Sequence, residues 1–335
     1  MKHSNVAFFI PHLGCPHQCS FCNQKSISGQ SMPPSPEEIA DTCRRALREI
    51  PAERRADTEI AFFGGSFTAA SREYQQRLLE AAASFCGDGG FSGIRISTRP
   101  DGISREILDF LKKHPVSAIE LGAQSMDNEV LRLNGRGHTA EQTAKASALI
   151  RSYGFSLGLQ MMTGLYGDSK ESTYETAEKI ISCRPDTVRI YPTVVIRGTE
   201  LCRLYEAGLY RPPTVEETVP LVADLMERFM QAGIRVIRVG LHASRELERD
   251  LVAGAYHPAF RELCEGELYL RLALRKLREL GEREAVLWVA PREVSKLVGQ
   301  GKINRIRMNQ AGYHVIIKQD AALTPLELRA AAREV

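Results

Sequence analysis

The chain has 335 residues, 43% of them apolar and 25% charged, and a formal net charge of +3. That content suits a globular fold with a sizeable core, one large domain plus an appendage, and excludes a disordered or fibrous chain. With no apolar run long enough to span a bilayer and no signal-peptide pattern at the start, a cytoplasmic protein without a membrane partner is expected.

A strand-like apolar run over residues 6–10 is followed by CPHQCSFC, with Cys15, Cys19 and Cys22. Thiolates are soft ligands, and gaps of three and two residues let one short loop reach three corners of an iron-sulfur cube. The fourth iron is then left open, which suits catalysis better than a closed structural site. Zinc completed by His12 or His17 is the competing metal reading, although no second CxxC or HxxxH pair follows. Cys43, Cys86, Cys183, Cys202 and Cys264 stand singly among apolar neighbours and are expected as buried thiols rather than disulfides.

Further strand-like runs fall at 59–63, 94–98, 118–123, 156–162 and 187–191. Helical spacing occupies the intervals 36–50, 72–85, 105–113, 139–152 and 171–182. Repeated β-α units of this kind give a parallel sheet covered by helices, either open and doubly wound or a barrel, and periodicity does not choose between them. The polar strings GGSFT (64–68), TRPD (98–101) and Gln124–Ser125 follow strand ends, which share one face of such a fold. Paired glycines Gly64 and Gly65 let backbone approach a ligand closely, although a plain tight turn uses the same pair. There is no GxxxxGK loop, and GRGHT (135–139) lacks the order of a dinucleotide site.

Beyond a helical stretch at 214–232, residues 234–239 read as a seventh strand or as the exit from a barrel. A helix is expected over 258–280, with His257 at its start. Then come a strand at 285–289, a short helix over 291–298, strands near 303–308 and 313–318, and a final helix from Pro325. Residues 266–318 hold 11 Lys and Arg against 5 Asp and Glu, so Lys296, Lys302, Arg305 and Arg307 are candidates for phosphate contact.

Taken together, the Cys loop, the glycine pair and the polar strand ends resemble the radical S-adenosylmethionine (SAM) superfamily. GGSFT, TRPD, ELGAQS (120–125), GRGHT and YPTVVIRGT (191–199) are similar to the radical-SAM domain of the Elongator catalytic subunit, and more distantly to oxygen-independent coproporphyrinogen oxidase. The resemblance implies an α/β fold, a partial (β/α)6 TIM-like barrel over residues 1–240 with a small α/β extension over 241–335. It also implies a [4Fe-4S] cluster on Cys15, Cys19 and Cys22 and an external electron donor. SAM would be held by Gly64, Gly65, Ser66, Gln124, Arg136 and Gln160, with the backbone of Phe21 near the adenine and Ser97 where some relatives carry a carboxylate. Tyr191 and Arg197 become candidates for substrate contact or radical handling. The implied reaction is reductive cleavage of SAM to a 5'-deoxyadenosyl radical that takes hydrogen from the substrate.

Two departures separate the chain from the Elongator subunit: a shorter cysteine interval, and no room after Val239 for an acetyltransferase domain of usual size. The same tRNA reaction is therefore not implied, and RNA stands as the leading substrate class. A coproporphyrinogen-oxidase-like or other small-molecule enzyme, and a non-catalytic metal-bearing nucleic-acid binder, remain the alternatives.

Overall fold

Strands that follow one another along this chain also lie side by side. The computed structural model describes residues 4–10, 18–23 and 32–333. One sheet takes β1 (Ser4–Ile10), β2 (Thr58–Gly64), β3 (Ile94–Thr98), β4 (Val116–Gln124), β5 (Ser156–Thr163) and β6 (Thr187–Pro192) in chain order, then β8 (Arg235–Val239). Every pairing in it is parallel. The strands curl into a partial barrel. The rank left open for 234–239 is therefore that of a seventh strand. A short strand β7 (Val194–Ile196) lies outside this sheet and pairs antiparallel with β9 (Leu251–Gly254).

The connecting helices are α1 (Pro36–Glu49), α2 (Arg72–Ala83), α3 (Arg105–Leu111), α4 (Asn128–Leu133), α5 (Ala140–Ser152), α6 (Lys170–Ser182), α7 (Glu200–Glu206), α8 (Val215–Gln231) and α9 (Arg245–Asp250). Their starts are written in local chemistry. Ser35 caps α1 in a box with Glu38, with Pro36 at the first helical position, and Thr139 caps α5 in a box with Gln142. Apolar residues of these helices, such as Leu78, Leu79, Ile150 and Ile180, are buried, as are the strand residues Ile60, Ile94, Ile119 and Leu157. Among the described residues no helix is long and apolar enough to cross a membrane.

Chain contacts divide the molecule into two compact units, Met1–Pro213 with Phe229–Tyr256, and Thr214–Arg228 with His257–Val335. In the second, α10 (Phe260–Leu280) covers a three-stranded sheet in the order β11 (His314–Gln319), β10 (Glu284–Val289), β12 (Leu328–Ala332). Its core is built on Tyr269, Leu277, Leu287, Val289, Leu297 and Leu328. His257 stands at the start of α10, where its Nδ1 accepts the Ala259 N–H at 3.1 Å.

Two expectations for this unit are corrected. Residues 303–308 are not a strand but part of α12 (Ile303–Gln310), which follows the short α11 (Val294–Val298). The apolar alternation at Ile306 and Met308 suggested a strand, yet the buried pair is Asn304 and Met308, four apart, while Ile303 and Ile306 are exposed. Asn304 Nδ2 donates to Gly266 O at 2.7 Å and Lys296 O at 3.1 Å, so its buried amide is satisfied. The final helix is instead strand β12. Its Ala-rich sequence favours a helix, but pairing with β10 sinks Leu328 into the core and lays Arg329 over the Trp288 ring. Tertiary packing overrides propensity here.

Candidate active site

Charged residues inside buried parallel strands are costly unless they pair, and four of those on the concave face of the sheet pair with one another. Glu59 on β2 accepts Arg95 Nε from β3 at 2.6 Å, and Arg95 Nη1 reaches Glu120 on β4 at 3.2 Å. Glu120 also receives Arg189 from β6 through Nε at 2.7 Å and Nη2 at 3.0 Å. This reach passes over β5 because Gly158 stands there: a Cβ at that position would meet Glu120 Cγ at 2.7 Å. Burial works against the Arg189 charge, but Glu120 and Tyr191 beside it outweigh that and hold its pKa above the ordinary value.

Strand alternation then carries the same face upward to Phe63, Ser97, Gly122, Gln160 and Tyr191, all half-buried rather than closed over. Arg189 lies 4.7 Å from the Phe63 ring centroid. Ser97 Oγ points to Glu120 at 3.5 Å, so the serine meets the carboxylate of the neighbouring strand. A bulge at Gly122 and Gln124 ends the regular pairing of β4 with β5, and Gln124 has φ +66°, a left-handed value that costs energy in a residue other than glycine. That turn brings Gln124 Oε1 to 3.1 Å from Gln160 Nε2, joining two expected SAM residues.

At the end of β2, Gly64 adopts φ +102°, and a Cβ there would lie 2.9 Å from Ile10 O. The Gly65 N–H donates to the same carbonyl at 2.7 Å. Only glycine fits this close approach of the loop after β2 to the end of β1. Ser66 is fully buried, and its hydroxyl is within 2.8 Å of Thr98 Oγ1, so its side chain braces the glycine loop against β3.

The described half of the Cys loop rests on the loop that follows α4. Ser20 N–H donates to Asn134 O at 3.1 Å, and Ser20 Oγ to Asn134 Oδ1 at 2.7 Å. Asn134, fully buried, donates in turn to Val130 O and Tyr166 O. Arg136 Nη1 lies 3.1 Å from Cys19 Sγ, and Nη2 donates to Gly122 O at 2.6 Å. Its Nε is buried with no hydrogen-bond partner among the described residues. From the other side Leu201 N–H donates to Ser20 O at 2.7 Å, and Asn23 Nδ2 to Arg197 O at 3.4 Å. The Phe21 side chain packs with Cys19, Val130, Leu165, Val195, Leu201 and Tyr210, an apolar layer over the loop that leaves only backbone for a ligand.

Cys19, Gly122, Gln124, Arg136 and Gln160 are thus joined by contacts, with Gly64–Ser66 at the end of a neighbouring strand. Arg197 is different: it is exposed, past β7, and its backbone N–H is bonded to Asp250 O. Cys15, His12 and His17 lie outside the described residues. Among the single cysteines, Cys43, Cys202 and Cys264 are buried, while Cys86 and Cys183 are only half-buried. Of the four basic residues proposed for phosphate contact, Lys296 is paired with Glu265 and Glu293 and Arg307 with Glu267, whereas Lys302 and Arg305 are exposed.

Sequence reading missed Asn134, Glu59, Arg95, Glu120 and Arg189 as site residues. The four charges carried a signal, each standing inside an apolar run read as a strand. Asn134 gave none, since its partners are set by tertiary approach.

The donor set fits a cluster and SAM. The Cys19 thiol faces a cationic N–H donor, an unpartnered buried guanidinium nitrogen can meet a carboxylate, and a side-chain-free loop offers backbone. The family model described as Radical SAM superfamily matches residues 9–180, and the Radical_SAM C-terminal domain matches 185–269. The tRNA uridine(34) acetyltransferase of Methanocaldococcus jannaschii is 32% identical over 206 residues, covering 54% of this chain and 37% of that protein. Elongator complex protein 3 of Homo sapiens is 29% identical over 244 residues, covering 67% and 42%. The chain therefore spans less than half the length of these curated relatives. In fold it is similar to the archaeal Methanocaldococcus infernus Elp3 with an N-terminal deletion, at TM-score 0.61 and 22% identity, over 84% of this chain and 63% of that one.

Proposed function

The chain belongs to the radical SAM superfamily, and from that membership we propose that it is a radical SAM enzyme acting on RNA. Membership brings a [4Fe-4S] cluster and SAM as cofactors. In this reading Cys15, Cys19 and Cys22 hold the cluster, with an external donor supplying the electron. Gly64, Gly65, Gln124, Arg136 and Gln160 hold SAM, with the Phe21 backbone beside it. When bound, these groups supply one-electron cleavage of SAM and abstraction of a hydrogen atom from the substrate.

The chain's own residues do the rest. Asn134 and Leu201 fix the backbone of the Cys loop, and the layer of Phe21, Val195 and Tyr210 keeps water from its apolar side. Gln160 orients the Gln124 amide, and the bonds from Arg189 and Arg95 hold Glu120 rigid beneath the ligand face. Tyr191, beside Arg189 on this face, is the substrate-facing residue we assign. Arg197, exposed beyond β7, contacts substrate outside the concave face, with Lys302 and Arg305 as phosphate contacts.

The observation that carries the reading is the contact chain Cys19–Arg136–Gly122, continued by Gln124–Gln160, which ties a cysteine loop to a polar ligand face. For RNA, the support is the tRNA-directed names of relatives matched over this span. Modified nucleosides compared in tRNA from cells with and without the protein test it. A nucleoside that is lost without the protein and restored by wild type but not by Cys19→Ala is expected; an unchanged profile refutes the RNA reading.

A further inference from the structure

Arg136 is 6% exposed, yet no carboxylate pairs with it among the described residues. A buried cation without an anion is costly, so the fold must offer it negative charge. The sulfur 3.1 Å from its Nη1 is the partner on hand. The guanidinium is fixed there. Its Nη2 is tied to Gly122 O, and its own carbonyl accepts a hydrogen bond from Arg99, which Asp101 holds through two bonds of 2.9 and 3.0 Å. Arg99 and Asp101 offset each other in charge, which leaves Arg136 as the charge without an offset here among the described residues.

We propose that Arg136 is a positioning residue that sets the reduction potential of the cluster through a charge-assisted N–H···S hydrogen bond to Cys19. The proposal rests on the reading of Cys15, Cys19 and Cys22 as cluster ligands, and it gives Arg136 a role that precedes SAM binding. A cluster that accepts one electron gains one negative charge, spread in part over its ligand sulfurs. A fixed cation beside one of them stabilises the reduced form more than the oxidised form, so the potential rises. Burial keeps solvent from screening the effect.

The test is a redox titration of the reconstituted full chain, followed by electron paramagnetic resonance without SAM, with iron and sulfide counted per chain. In Arg136→Met we expect wild-type iron content and a reduced-to-oxidised ratio about tenfold lower at a given potential, about 59 mV for a one-electron couple. Wild-type iron and an unmoved potential, with only SAM affinity reduced, overturn the proposal and leave Arg136 a SAM ligand alone. Should Arg136→Met lose the cluster, Arg136→Gln decides, because it keeps an N–H donor without the charge: a potential below wild type supports the proposal, and an equal one overturns it. Failure of the underlying reading looks different, since wild type itself would then hold no four-iron cluster.

Discussion

Replacing Glu120 with Gln removes one charge from the centre of the concave face while keeping the shape of the side chain. Glu120 is the hub: it receives Arg189 at 2.7 and 3.0 Å and Arg95 at 3.2 Å. Arg95 retains Glu59 at 2.6 Å, but Arg189, with its side chain 13% exposed, loses the one carboxylate paired with it among the described residues. Removing one partner of a buried pair costs about 3–5 kcal/mol because the other charge stays buried. Against a typical domain stability of about 5–15 kcal/mol, that is a large share. Chemical denaturation followed by far-ultraviolet circular dichroism reads the loss. A double-mutant cycle with Arg189→Met isolates the pair, and the double variant is expected to lose less than the two single variants together. A loss below about 1 kcal/mol for Glu120→Gln, or strict additivity, would refute the argument that these charges are mutually required.

Three further outcomes follow from the same geometry. Gly64→Ala forces a Cβ to 2.9 Å from Ile10 O at φ +102°, so a loss of about 1–3 kcal/mol and weaker SAM binding are expected; calorimetry showing wild-type stability and affinity contradicts this. Asn134→Ala strands the Ser20 hydroxyl and the Tyr166 carbonyl, while Val130 O keeps the Asn134 backbone N–H, so a stability loss of about 2–3 kcal/mol and less iron retained through gel filtration are expected. Wild-type values of both would count against Asn134 as the anchor of the Cys loop. His138 has its pKa lowered to about 4, by burial first and then by Arg136 and Arg99, so the folded state binds its proton less readily than the unfolded chain. Its contribution is therefore complete above about pH 6.5 and is lost as pH falls toward 4, by at most about 1.4 kcal/mol per unit. Urea unfolding at pH 7 and pH 5 should show a smaller drop for His138→Gln than for wild type, and an equal drop removes His138 from the account.

The sheet was legible because its strands are long, apolar and separated by well-capped helices; β3 falls on residues 94–98 as read from the pattern. What escaped was short or contrary to propensity. β7 has three residues and is separated by a single residue from Pro192, the end of β6, so no periodicity could mark it, and α7 occupies only seven residues. Both belong to the layer over the Cys loop, so the cover of the site was invisible while its floor was not. The strand β12 was hidden by alanines that favour a helix. In the site, residues carried by motifs were legible, whereas Asn134 and the link of Arg136 to Cys19 depend on loops from distant parts of the chain meeting in space.

The central claim is that one cysteine loop and the strand ends beside it bind a cluster and SAM and make them react. Anaerobic reconstitution with iron and sulfide, followed by dithionite and SAM, measures it through the 5'-deoxyadenosine formed. The account predicts that product from wild type and none from Cys15→Ala, Cys19→Ala or Cys22→Ala. A wild-type protein carrying its cluster that forms none, or cysteine variants that form as much as wild type, would contradict it.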